Sequence, residues 1–244
     1  MSQRLESRVA VVTGGTGALG RAVVRRLLAA GARVHTTWRT EAEVGELQHY
    51  LGREAGKVAL HEVDLTREKR VREIFDGIVQ EGGRLDILCN IAGGFAMAAL
   101  EETKLELWER MLALNATTAF VACRAAARHM RDRHYGRMVN VSAAPALERG
   151  APRMSAYAAS KAAVLNLTYS LARELGPAGI TVNAIVPSIL DTPQNRDAMP
   201  DADRSGWLSP DEVAEVAGFL VSDAAAIVTG TAVSLDRERT DMAS

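Results

Sequence analysis

Residues Arg8–Gly20 read RVAVVTGGTGALG. The opening RVAVVT is β-branched and apolar almost throughout, with no polar alternation, as expected for a strand buried on both faces. It runs straight into the glycine turn GGTG, and an amphipathic helical pattern follows at about Leu19–Ala30. A turn this tight needs residues without side-chain obstruction, and a helix start presents free N–H groups that suit a phosphate. A glycine-rich turn alone is a weak signal. Placed directly after a buried strand and opening a helix, it becomes specific.

Working outward, short apolar runs alternate with helical patterns along the whole chain. Strands are expected near Arg8–Thr13, Arg33–Thr37, Val58–Glu62, Leu85–Cys89, Arg137–Ser142, Thr181–Val186 and Ala232–Leu235. Helices are expected around Leu19–Ala30, Glu41–Arg53, Glu68–Gln80, Lys104–Arg131, Ala156–Leu175 and Pro210–Val221. This alternation predicts an α/β fold: a single doubly wound Rossmann-type domain over residues 1–244, with a seven-stranded parallel sheet and helices on both faces. No Pro-, Gly- or Ser-rich linker divides the chain. The long irregular stretch, about 188–209, follows the sixth strand, at the sheet edge where open α/β folds place ligands. It is the expected substrate lid.

The bulk numbers narrow the function. A net charge of −1 over 244 residues gives no general attraction to nucleic acid or anionic membrane, so neither is expected as a partner. No run reaches the length of a membrane span, and the N-terminus lacks a secretory pattern, so a cytoplasmic protein is expected. Cys89 and Cys123 lie in apolar segments and read as buried, reduced thiols. The five histidines show no metal-ligand spacing, so no metal is expected. Arg124, Arg128, Arg131, Arg133 and Arg137 cluster at a helix end, where cations are favourable, and read as a solvated surface.

The chemistry concentrates in YAASK, Tyr157 to Lys161. On a helix this spacing puts both side chains on one face, one turn apart. A phenol with its ordinary pKa near 10 is a poor acid–base at neutral pH, and a neighbouring ammonium favours its ionised form. Such a pair suits proton transfer to or from an oxygen.

TGGTGALG (Thr13–Gly20), together with CNIAGG and YAASK, resembles the fingerprint of short-chain dehydrogenases/reductases. Gly14 and Gly20 match that pattern, while Ala18 replaces its middle glycine and should crowd the pyrophosphate slightly. The resemblance implies hydride transfer between a nicotinamide and a C=O or C=N carbon of a small-molecule substrate, by an NAD(P)H-dependent oxidoreductase. It implies catalytic roles for Tyr157, Lys161, Asn115 and Ser142; Ala143 stands at the position of the family's serine, so either Ser142 swings in as its substitute or the enzyme works without a serine donor. It further implies cofactor contacts from Gly14, Thr16, Leu19, Gly20, Arg39, Asp64, Leu65, Asn90, Ala92, Gly93, Tyr157, Lys161, Pro187 and Thr192. For Asn90 a structural role is equally compatible. A homodimer or homotetramer is implied by resemblance alone.

The second strand ends RVHTTWRT, where NAD-binding sheets carry an acid for the ribose 2′-hydroxyl. Trp38 stands there, and Arg39 follows. Without a repelling carboxylate and with a guanidinium able to grip a phosphate, NADP is the expected cofactor and NAD the alternative. The Asp191–Trp207 segment and the serine-poor loop resemble the quinonoid dihydropteridine reductase branch. Phe95, Met199 and Trp207 are the candidate substrate contacts, although Met199 and Trp207 would serve equally to pack the lid. A nucleotide-binding or scaffold protein without turnover is the non-enzyme alternative, motivated by Ala18 and Ala143.

Overall fold

In the computed structural model, which describes residues 5–148 and 150–237, seven parallel strands form one sheet. They are β1 (Val9–Thr13), β2 (Arg33–Trp38), β3 (Val58–Glu62), β4 (Ile87–Asn90), β5 (Gly136–Val141), β6 (Ile180–Pro187) and β7 (Ala232–Leu235), in the order β3-β2-β1-β4-β5-β6-β7. Strand order reverses between β1 and β4, and that is where an open α/β sheet forms a crevice at its carboxyl edge.

The strand interiors explain the two-faced burial. Ala10 and Val12 of β1 pack into a core with α1 (Ala18–Ala29), α2 (Glu41–Leu51) and α9 (Pro210–Leu220). Val9 and Val11 face the opposite core, against α3 (Glu68–Gly82), α5 (Thr118–Asp132) and α7 (Ser155–Leu175). The remaining helices are α4 (Leu105–Met111), α6 (Ala144–Leu147) and α8 (Pro193–Ala198).

Two expectations are corrected. The helix expected over Lys104–Arg131 is broken into α4 and α5 by a π-helical turn, Leu112–Thr117, that carries Asn115. A π turn inserts a residue into the helical ladder and re-aims what it carries. The stretch expected to be irregular from 188 to 209 contains α8, where the Thr192 hydroxyl accepts from the Asn195 N–H at 3.2 Å. A backbone bridge between Leu190 and Leu208 closes the base of this loop. Part of the C-terminal run Leu235–Ser244 lies outside the described residues.

Candidate active site

The turn after β1 shows which glycines no other residue could replace. Gly14 has φ +65°, and a Cβ there would lie 2.7 Å from the Ala92 Cα. A Cβ on Gly20 would lie 2.1 Å from the Gly14 carbonyl oxygen, so α1 can approach β1 this closely only with glycine. Ala18 is the first residue of α1. Gly17 caps α1 without a side-chain hydrogen bond. Its carbonyl accepts from Arg21, so the helix begins with backbone N–H groups directed into the turn. Leu19 itself is buried in the core and contributes only its backbone to this edge.

From β4, Ala92 and Gly93 enter the same crevice. The Ala92 N–H donates to the Thr13 hydroxyl at 3.3 Å, which ties the β4 exit to the glycine turn. Asn90 does not reach the crevice. Its amide donates to Asn140 at 2.9 Å and to the Cys123 sulfur, and its oxygen accepts weakly from Thr13. Asn140 donates in turn to Thr168 on α7, completing a buried polar ladder across the sheet. Asn90 thus ties β4 to β5 and α5. The two thiols are free and buried, and burial pushes both up to about 12.

Tyr157 and Lys161 project from the first two turns of α7. Phe95 packs edge-on against Tyr157, with ring centroids 4.9 Å apart. The Lys161 ammonium lies 6.0 Å from the centroid of the Tyr157 ring and donates to the Val141 carbonyl at 2.9 Å. Burial pushes the phenol up to about 12 and the ammonium down to about 8. The expectation that the ammonium draws the phenol towards neutrality is therefore not met in the chain by itself. At this separation, with Nζ turned to the β5 carbonyl, desolvation dominates both groups.

Asn115 is brought to this pair by the π turn. Its Oδ1 accepts from the Gly94 N–H and its Nδ2 donates to the Gly94 carbonyl, both at 3.0 Å. The same Nδ2 donates to the Ser160 hydroxyl, which donates to the Tyr157 carbonyl at 2.7 Å. Ser160 is a site residue that the sequence does not mark; it stands directly before Lys161, and only the π turn reveals its partner. A Cβ on Gly93 would meet the Asn115 Oδ1 at 2.6 Å and the Lys161 Nζ at 3.3 Å, so this stretch passes between them as bare backbone.

Ser142 is adjacent but turned away. Its hydroxyl is buried and donates to the Lys161 carbonyl at 2.9 Å, tying the end of β5 to α7. Ala143 is also buried and offers no hydroxyl. Trp207 is 7 % exposed, under the Arg204 guanidinium, and packs the base of the loop. Met199 is half-buried after α8, Thr192 caps that helix, and Pro187 ends β6 in the interior. Phe95 and Met97 after β4, Leu147 on α6 and Ile189 after β6 are exposed apolar side chains on segments that follow the carboxyl ends of strands.

After β3, the Asp64 carboxylate accepts from the Thr66 N–H and hydroxyl, which holds it below the usual carboxylate range. Leu65 is buried against α3. Arg39 is exposed, forms no ion pair among the described residues, and acts on Asp64 through space. The Thr16 hydroxyl donates to Glu43 at 2.7 Å. Thr40–Glu43 has the spacing of a capping box, yet the Thr40 side chain makes no cap and Glu43 reaches the glycine turn instead. No sequence signal marks that contact. By contrast Ser209 and Glu212 form a true capping box on α9.

The basic cluster is mostly paired. Arg124 meets Glu68, Arg128 meets Asp76, and Arg131 meets Glu174. Among the described residues no group of three His, Cys, Asp or Glu side chains could hold a metal, and no helix is long and apolar enough to cross a membrane.

A doubly wound sheet with a glycine turn and open helix start at its switch point, and a Tyr–Lys–Asn cluster on the same edge, defines a dinucleotide-binding oxidoreductase fold. The chain belongs to the short chain dehydrogenase family, whose profile it matches over residues 8–203. It is 30 % identical to a D-beta-hydroxybutyrate dehydrogenase of Rhizobium meliloti, over 94 % of this chain and 97 % of the relative. It is 33 % identical to 3beta-hydroxysteroid dehydrogenase 1 of Eggerthella lenta, covering 97 % of this chain and 95 % of that one. The crystal structure of gox2181 superimposes with a TM-score of 0.90 at 33 % identity, over 98 % of both chains.

The family is one of NAD(P)-binding oxidoreductases. The residues present fit such a group, since the turn is open at Gly17, where a Cβ would meet only the Gly14 carbonyl at 3.6 Å, and α1 begins there without a side-chain cap. The expected dihydropteridine reductase branch is not supported: the relatives are dehydrogenases named for hydroxybutyrate and hydroxysteroid substrates.

Proposed function

We propose that this protein is an NADP(H)-dependent oxidoreductase that interconverts a carbonyl and a secondary alcohol on a small, largely apolar substrate. The observation that carries this reading is the convergence of Tyr157, Lys161 and the Asn115–Gly94 contact at the sheet edge beside the glycine turn. The start of α1, Gly93 and Lys161 would hold the dinucleotide, with Arg39 at its ribose end. When bound, the nicotinamide supplies or accepts the hydride.

The chain's own groups handle the proton. With its phenol pushed up to about 12, Tyr157 is protonated at neutral pH and donates to the oxygen of a carbonyl. The Lys161 ammonium, bonded to the Val141 carbonyl and 6.0 Å from the Tyr157 ring centroid, would stabilise the phenolate that this leaves through space. Asn115 fixes Gly94, and with it the entry of Phe95 against Tyr157. We assign no catalytic hydroxyl to Ser142, whose proton is engaged by the Lys161 carbonyl.

Exposed Phe95, Met97, Leu147 and Ile189 favour an apolar substrate, and the 188–209 loop is its lid in this reading. Cytoplasmic location and pairing with a second copy belong to the same proposal. Exposed Phe120 on α5 and Tyr169 on α7 support the pairing. Titration of the purified protein with NADPH and NADH tests the cofactor. Tighter NADPH binding that Arg39→Ala removes supports the assignment, and a preference for NADH that ignores Arg39→Ala contradicts it.

A further inference from the structure

We propose that Glu43 is a specificity-determining residue for the nucleotide, its carboxylate disfavouring a ribose 2′-phosphate that Arg39 attracts. This rests on the nicotinamide reading above. The geometry that carries it is local. Thr16 is 2 % exposed and sits in the glycine turn, two residues before α1 begins. Its hydroxyl holds the Glu43 carboxylate at 2.7 Å, although Glu43 belongs to α2 on the far side of β2 in sequence. The bond draws a negative charge from the first turn of α2 onto the rim of the phosphate cradle.

The adenosine ribose is bonded to the phosphate that such a cradle holds, and lies towards the end of β2. Arg39 is the first residue after β2, exposed and free of ion pairs among the described residues. A 2′-substituent held there would come within the influence of the Arg39 guanidinium and of the Thr16-held Glu43 carboxylate. The position normally filled by an acid in NAD-binding sheets is Trp38, so the acid is displaced from the strand end and delivered from the next helix. A ribose 2′-hydroxyl can donate to such a carboxylate, whereas a 2′-phosphate is repelled by it. The preference for NADP(H) is accordingly weaker than Arg39 alone would set.

The full chain and its Glu43→Gln and Glu43→Lys variants would be titrated calorimetrically with ADP-ribose and with its 2′-phosphate, so that no turnover is needed. The expected result is about a tenfold rise in preference for the 2′-phosphate with Glu43→Gln, the effect of one carboxylate removed a few ångströms away in a partly exposed site, and a larger rise with Glu43→Lys. Thermal unfolding within a few degrees of wild type would accompany it. Equal changes in both affinities, or no change in either, would overturn the assignment of Glu43 and leave the nicotinamide reading standing. Failure of the wild type to bind either ligand would overturn that reading, and the inference with it.

Discussion

Lys161→Met should stabilise the chain while disabling the site. Lys161 is 6 % exposed, and burial lowers its ammonium from 10.5 to about 8. At 1.36 kcal/mol per tenfold change in proton affinity, holding the charged form inside costs the folded chain about 3 kcal/mol at neutral pH. The ammonium recovers part of this through its hydrogen bond to the Val141 carbonyl, worth about 1.5–3 kcal/mol for a charged donor. Methionine fills a similar volume without the charge, so the net gain should reach about 1.5 kcal/mol at most. For a chain of this length that is a rise of a few degrees in Tm, roughly 2–4 °C per kcal/mol.

The pH dependence separates this cause from better packing. Below pH 8 the lysine is charged in both states and the penalty is full. Between about 8 and 10.5 the folded chain loses its proton while the unfolded chain keeps it, so wild-type stability rises relative to the variant. The advantage of Lys161→Met should therefore shrink across that window. Urea unfolding of both proteins at about pH 7 and about pH 10 measures it. A variant less stable than wild type near neutrality, or an advantage that grows with pH, would refute the reasoning.

Ser142→Ala should lower stability by about 1 kcal/mol, by removing the donor to the Lys161 carbonyl, and reduce turnover by no more than about threefold. A loss of several hundredfold in kcat would show that the hydroxyl takes part in the chemistry. His35 is buried beside His61, with Nε2 unpaired among the described residues and its pKa lowered from 6.5 to about 4, mainly by burial. Its neutral form is the one that folds, so stability present above pH 6.5 is lost as pH falls towards 4. His35→Leu should flatten that acid limb by about 2 kcal/mol in unfolding titrations; an unchanged limb would place the acid sensitivity elsewhere.

The fold was largely legible because its signals are local and cooperative. RVAVVT and ITVNAIV are too apolar for anything but central strands, and each is followed or preceded by a helix pattern of the right length. Gly14 and Gly20 were legible for the same reason: the turn they make cannot tolerate a side chain. The π turn at Leu112–Thr117 was not legible, since LALNAT is an ordinary helical pattern and the distortion answers contacts with Gly94 and Ser160 from distant parts of the chain. Ser142 and Glu43 show the same limit. Each residue was visible, but which way it turns depends on a partner 19 and 27 residues away, the Lys161 carbonyl and Thr16 respectively.

The central claim is that Tyr157 delivers the proton for a nicotinamide-dependent reduction. The measurement that tests it most directly is single-turnover oxidation of NADPH, followed by the loss of its near-ultraviolet absorbance, with a substrate drawn from a panel of apolar ketones. Wild type and Tyr157→Phe would be compared at matched cofactor occupancy. The account predicts that the variant binds NADPH within a few-fold of wild type and loses at least about a hundredfold in rate, the usual worth of a positioned general acid. Comparable rates in the two proteins would contradict it.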